Sequence, residues 1–214
     1  MLDAARMAEL LAPYLGDAVP PPQLFAQLQV YLHLLLRWNA RTNLTAVRNP
    51  EQIVTRHFGE SLFAARVLRD AGDFDKGTPT LSDIGSGAGF PGIPIKLFAP
   101  NLHLTLIESH NKKATFLKEV IRALRLTNAE VFCGRAEAWG QQTRIVTLRA
   151  VERFETVLPV AKTLVAAGGT LCLLIGEVQQ ATARKLLTGE YVGCSSDIMP
   201  DSTSGVVMRA EKRA

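Results

Sequence analysis

The stretch Leu81-Ser82-Asp83-Ile84-Gly85-Ser86-Gly87-Ala88-Gly89-Phe90-Pro91-Gly92 decides how this chain is read. A short β-prone run passes straight into three alternating glycines, then a proline, then an apolar helical segment over 93–98. Glycine is needed where backbone must pass close to a ligand with no Cβ in the way. In an open α/β sheet that place is the crevice beyond the carboxyl ends of the strands. One glycine would suit an ordinary strand–helix turn; three in five positions, behind Asp83, point to a ligand cradle.

A dinucleotide fingerprint reads G-x-G-x-x-G, with the pyrophosphate on the helix N-terminus. From Gly85 the spacing here is G-x-G-x-G, and Pro91 stiffens the approach to Gly92. Glu108 closes the next β-prone run and suits both hydroxyls of a ribose, a feature that serves NAD and S-adenosyl-L-methionine equally. The tighter glycine spacing favours S-adenosylmethionine, whose methionine carboxylate and amine are smaller than a pyrophosphate. A nicotinamide oxidoreductase stays as the weaker alternative.

From residue 80 onward, strand and helix patterns alternate. Runs at 80–84, 102–108, 129–133, 145–148 and 170–175 are short and apolar or β-branched, with helical stretches such as 112–126 and 151–167 between them. Such alternation predicts an α/β domain over 78–214, with a doubly wound, mostly parallel sheet covered on both faces. Residues 191–212 read as a strand pair turning at 201–205. Before residue 78 the apolar spacing is helical: Leu24, Leu28, Tyr31, Leu32, Leu35 and Leu36 share one face, and Asn49-Pro50 opens a helix predicted to run to residue 71. Residues 1–77 are therefore expected to be a helical extension packed on the core.

At 214 residues, 47% hydrophobic and 21% charged, the composition excludes a disordered, fibrous or repeat protein. No segment approaches the roughly 18–20 apolar residues of a membrane span, and Asp3 and Glu9 sit where a signal peptide needs a basic flank and an apolar core. Cys133, Cys172 and Cys194 are odd in number and far apart, which argues against a disulfide framework or a zinc site and for a cytoplasmic protein with reduced thiols and no metal. A formal charge of +4 permits a polyanionic partner without requiring one.

If the cofactor is a methyl donor, the motifs that are missing narrow the chemistry. None of the cysteines follows a proline, as thiolate catalysis at a pyrimidine carbon would often have it, and no Asn/Asp-Pro-Pro-aromatic motif for an exocyclic amine occurs. A ring nitrogen such as guanine N7 needs neither, because its lone pair already lies in the base plane.

Four blocks resemble the ribosomal small-subunit methyltransferase G family, also called glucose-inhibited division protein B. They are Trp38-Asn39 with Asn43-Leu44-Thr45 and the downstream Arg56-His57; the glycine block through Phe90-Pro91-Gly92-Ile93-Pro94; Glu108-Ser109 with Lys112-Lys113 and Phe116-Leu117; and Gly134-Arg135-Ala136-Glu137 followed by Arg149-Ala150-Val151. The resemblance implies a Rossmann-like class I methyltransferase, acting on N7 of one guanine in 16S ribosomal RNA, either free or in the small subunit. It implies that Gly85, Gly87 and Phe90 line the methionine and adenosine side of the cofactor. Glu108 would take the ribose, Ala136 and Glu137 would border the adenine, and Arg149 would sit beside the transfer site. Where the family usually has Asp-Ser, this chain has Glu60-Ser61.

Asp83 is expected to order the glycine turn by accepting its amides. Asn43, Arg56, His57 and Arg135 are candidate RNA contacts. Asn43 equally suits a helix–helix turn, His57 a packed position, and Arg135 a solvated one. Arg149 is the candidate catalytic residue, its planar fork suiting guanine O6 or a phosphate; read alone, it suits a helix entry. The chain is expected to act as a monomer. A methyltransferase of the same fold acting on a small molecule or a protein, and a non-catalytic RNA-binding module, remain the alternatives.

Overall fold

The computed structural model describes residues 2–75, 77–151 and 153–214. Asp3 caps α1 (Ala4–Leu15), its carboxylate accepting from the Arg6 amide at 2.7 Å. The apolar stripe read from sequence is the buried face of α2 (Leu24–Asn39), except that Leu36, at the edge of that face, is only partly buried. Asn49 caps α3 (Pro50–Ile53) by accepting from the Gln52 amide. The helix predicted over 50–71 is then interrupted: Val54–Gly59 forms a π turn before α4 (Glu60–Asp70). Val54, Phe58 and Leu62 recur every four residues whether or not a turn is widened, so periodicity cannot reveal it. Gly59 belongs to the site of widening, where a Cβ would lie 2.7 Å from the Tyr14 ring of α1.

The strands are β1 (Thr80–Ile84), β2 (His103–Glu108), β3 (Ala129–Cys133), β4 (Thr143–Arg149), β5 (Val165–Gly176), β6 (Tyr191–Ile198) and β7 (Gly205–Lys212). Helices α5 (Gly92–Phe98), α6 (Asn111–Ala123), α7 (Ala136–Trp139), α8 (Phe154–Leu164) and α9 (Glu177–Leu187) connect them. The described residues form one sheet in the order β3-β2-β1-β4-β5-β7-β6, parallel as far as β5, with β7 antiparallel to both its neighbours. From β1 the chain winds outward to β3, then returns to β4 on the other side of β1. That reversal opens a crevice at the carboxyl ends of β1 and β4.

Two positions beyond the interrupted 50–71 helix also differ from the sequence reading. β5 begins at Val165, inside the helix expected over 151–167, because the apolar run 164–167 fits either pattern. Its pairing with β4 jumps from Thr143–Val165 to Ile145–Thr170, and Gly168, at φ +64°, lies in the bulge. Helix α9 has only a short buried stripe, Ala183 and Leu187, and was not anticipated.

One face of the sheet shares a single core with the N-terminal helices: Tyr31, Phe58 and Leu62 pack in the same cluster as Leu81, Leu106 and Phe116. The other face is covered by α8 and α9. A buried ion pair fastens the end of the extension to the far strand. Arg209 of β7 donates to both carboxylate oxygens of Asp73, at 2.7 and 2.8 Å, and the Thr170 hydroxyl of β5 donates to Asp73 at 2.7 Å. Removing one member of such a pair strands the other without a partner. Asp73→Ala is expected to cost about 3–5 kcal/mol in urea unfolding, and Asp73→Leu combined with Arg209→Met distinctly less than Asp73→Ala alone.

Candidate functional site

The turn after β1 sits in the crevice at the switch point. The amides of Gly85 and Ser86 both donate to the Ile107 carbonyl of β2, at 2.9 and 3.1 Å. Gly85, Gly87 and Gly89 all have positive φ (66, 57 and 94°), which only glycine adopts without strain. At Gly89 there is also no room: a Cβ would lie 2.5 Å from the Tyr31 hydroxyl and from Ile93 Cδ1. Tyr31, which had no assigned role in the sequence, donates its hydroxyl to the Ala88 carbonyl. Asp83 lies fully buried beneath the turn, accepting from the Gly92 amide at 3.3 Å and from the Thr147 hydroxyl of β4 at 2.7 Å. Burial pushes its carboxyl up to about 6, against the downward pull of those hydrogen bonds.

A cavity of about 470 Å³ opens in front of this turn. Gly85 and Glu108 form one part of its wall, Gly134, Arg135, Ala136 and Glu137 another, and Val151, Val157 and Val160 the apolar side. Glu108 is 5% exposed, and its two oxygens accept the Gly87 and His110 amides at 2.9 and 2.7 Å. Those bonds fix the carboxylate at the end of β2, and each oxygen keeps a second acceptor site for a ribose hydroxyl. A polar carboxylate beside a side-chain-free turn, facing an apolar slot, fits the ribose, methionine end and adenine of S-adenosylmethionine. Ser109 and Lys113, both part of the third block, also line this space, together with His110, which was not singled out from sequence.

Phe90 and Arg149, expected at the cofactor, belong to a neighbouring cluster. The Phe90 ring lies between Tyr31 (centroids 5.6 Å apart) and His57 (4.8 Å), and the Arg149 guanidinium sits 5.8 Å from its centroid. Arg149 ends β4, immediately before the cavity residues Ala150 and Val151. Its side chain turns to the π turn: Nη2 donates to Glu60 Oε2 and to the Arg56 carbonyl, both at 2.6 Å, and Nη1 lies 3.2 Å from His57 Nδ1.

The candidate RNA contacts divide. Arg56 and Arg135 are exposed. Asn43 is exposed and lies 3.5 Å from an Arg48 nitrogen. His57 is half-buried and held neutral, its pKa brought down to about 3 by burial first and then by Arg149 and Arg56. Shaping of the 40–49 loop falls instead to Asn39, 4% exposed, whose amide oxygen accepts the Leu44 and Thr45 amides and whose nitrogen donates to the Thr45 carbonyl. The signal for this was an asparagine ending an otherwise apolar helical stripe.

A family model described as rRNA small subunit methyltransferase G matches residues 24–192. The chain belongs to that family. A curated relative from Stenotrophomonas maltophilia (strain K279a), named ribosomal RNA small subunit methyltransferase G, is 36% identical over 205 residues, spanning 95% of this chain and 90% of the relative. Solved structures share the fold. A protein of Agrobacterium tumefaciens described as a predicted O-methyltransferase superposes with a TM-score of 0.60 at 18% identity, covering 72% of this chain and 81% of its own. M. jannaschii TYW2, solved in complex with AdoMet, superposes with a TM-score of 0.54 at 13% identity over 71% of this chain and 77% of its own.

Within this family member the buried Asp83 makes stability depend on pH in a definite direction. A carboxyl whose pKa is higher folded than unfolded binds its proton more tightly in the folded state. The stability it supports is present at low pH and is lost as pH rises from about 4 to about 6. Asp83→Asn abolishes that titration, so from pH 4 to pH 7 it should gain about 2–3 kcal/mol relative to wild type. Urea unfolding at both pH values measures the gap; a gap that does not change with pH contradicts an ionised, buried Asp83.

Proposed function

We propose that the chain transfers the methyl group of S-adenosylmethionine to N7 of a guanine in 16S ribosomal RNA, acting in the cytoplasm as a monomer on the RNA or the small subunit. The observation that carries the cofactor is the cavity at the switch point, bounded by Gly85, Glu108 and Ala136. Family membership supports ribosomal RNA as the substrate class. Bound in the cavity, S-adenosylmethionine supplies a methyl carbon activated by a positively charged sulfur.

In this reading Asp83 holds the turn in shape, Gly85 and Gly87 let the backbone approach the methionine end, and Glu108 takes the ribose hydroxyls. Ala136 and Glu137 border the adenine. Arg149 stands where β4 meets the cavity, with three of its five N–H donors anchored as described and the others available to guanine O6. No side chain has to remove a proton, because the N7 lone pair is free in the base plane. Positioning then carries the rate. The exposed Arg56, Arg135 and Asn43 face solvent where the RNA backbone would pass, and contact through arginines makes binding fall with salt. A base held in a loop or unstacked is the form of RNA such a site can reach.

The test is to incubate the protein with methyl-labelled S-adenosylmethionine and small subunits from a strain lacking the gene, then digest the RNA. Label is expected in 7-methylguanosine. Label in another nucleoside would retain the cofactor and discard N7. No label on subunits, naked RNA or assembly intermediates would favour a small-molecule or protein substrate, or a module that binds without turnover. Glu108→Ala should weaken S-adenosylmethionine binding about tenfold or more, the loss of hydrogen bonds to a charged acceptor, as read by calorimetry. Arg149→Ala should abolish transfer while leaving the fold intact.

A further inference from the structure

We infer that His57 is a positioning residue for Arg149: its Nδ1 accepts from the guanidinium and, with the Glu60 carboxylate and the Arg56 carbonyl, holds it in one orientation beside the cavity. The inference rests on the proposed role of Arg149 at the reacting base.

A neutral imidazole accepts at one nitrogen and donates at the other. Facing Arg149, which only donates, Nδ1 must be the acceptor. Nε2 must then carry the proton, and its neighbour is the Thr45 hydroxyl at 2.7 Å. Thr45 is fixed in turn: its hydroxyl oxygen accepts the Val47 amide at 3.1 Å, and its backbone is stapled on both sides by Asn39. The ring plane is fixed by stacking on Phe90 at an interplanar angle of 27°. Hydrogen bonds and packing thus determine both the tautomer and the direction of the lone pair that meets Arg149. The Glu60 carboxylate supplies the counter-charge that allows an arginine to sit there half-enclosed, its side chain 13% exposed against 19% for Glu60.

The other account of His57 is that it fills space in the aromatic stack. The two accounts order a pair of variants oppositely. His57→Phe keeps ring volume and stacking but loses the acceptor; His57→Asn loses the ring but returns an acceptor oxygen near Nδ1. The experiment measures single-turnover methyl transfer to small subunits, S-adenosylmethionine affinity and Tm for both, with Arg149→Ala alongside.

We expect His57→Phe to slow transfer by about tenfold or more with cofactor affinity within about twofold of wild type, and His57→Asn to be the faster of the two. Phe faster than Asn, both at the wild-type rate, or both slowed equally would overturn the inference. Should His57→Asn fail to fold, Thr45→Val against Thr45→Ser decides. Slowing by Val with retention by Ser supports the inference, and equal rates overturn it. If Arg149→Ala is itself fully active, the reading of Arg149 falls. If Arg149→Ala is inactive and His57→Phe is fully active, only the positioning role falls.

Discussion

Between Gly85 and Gly92 the backbone must fold back under the ends of β1 and β2 in a space that admits no side chain at its tightest points. A Cβ at Gly92 would sit 2.8–2.9 Å from Leu106 and Asp83, and one at Gly89 would strike Tyr31 and Ile93. This close approach brings β1, α5 and α2 together around one turn. It sets the floor of the cavity and also delivers Phe90 to the aromatic stack that receives His57. The carboxylate of Asp83 is the internal template of the turn, joining β1 to Thr147 of β4 and to the start of α5. A buried carboxylate is a costly template. Its retention under a ligand cradle is consistent with a geometry selected for binding.

The parts of this arrangement that depend on local chemistry were readable in the sequence. Alternating short apolar runs gave the parallel sheet, glycine spacing gave the crevice, and Glu108 at the end of its run gave the carboxylate facing it. The parts that depend on distant contacts were not. Nothing around Tyr31 marks it as the group closing over Ala88, because in sequence it is one more member of an apolar stripe. The π turn at Val54–Gly59 leaves the fourfold spacing of Val54, Phe58 and Leu62 untouched. Arg149 could be nominated from its block, but its partners Glu60 and His57 lie about ninety residues earlier and meet it only after the extension docks. Phe90 stands next to the cradle in sequence yet turns into the extension, since its ring finds Tyr31 and His57 there.

The widened turn has a geometric consequence for those partners. A π turn places one extra residue in the helix, which rotates the following segment relative to a regular α-helix. Arg56 and His57 on that turn, and Glu60 just after it, present a carbonyl, a ring nitrogen and a carboxylate to a single guanidinium. His57 and Glu60 are three residues apart and so share one helix face, while Arg56 contributes through its backbone.

Among the described residues two ion pairs, Asp73–Arg209 and Arg149–Glu60, tie the extension to the sheet, and they do different work. Asp73–Arg209 is the more deeply buried, with Asp73 at 2% side-chain exposure, and it is bidentate and reinforced by Thr170; neither residue lines the cavity, and the pair serves assembly. Arg149–Glu60 is less deeply buried, at 13% and 19% side-chain exposure, and stands just before the cavity residues Ala150 and Val151, its direction set by the surrounding hydrogen bonds. An attachment meant purely for stability would gain more from apolar packing than from a largely enclosed arginine. The N-terminal helices supply that packing already, through Tyr31, Phe58 and Leu62. What they add through Glu60 and His57 is the aim of one guanidinium. Under the proposed role of Arg149 the extension is part of the site as well as a cover for the sheet: removing it would bare an apolar face and leave Arg149 without its counter-charge.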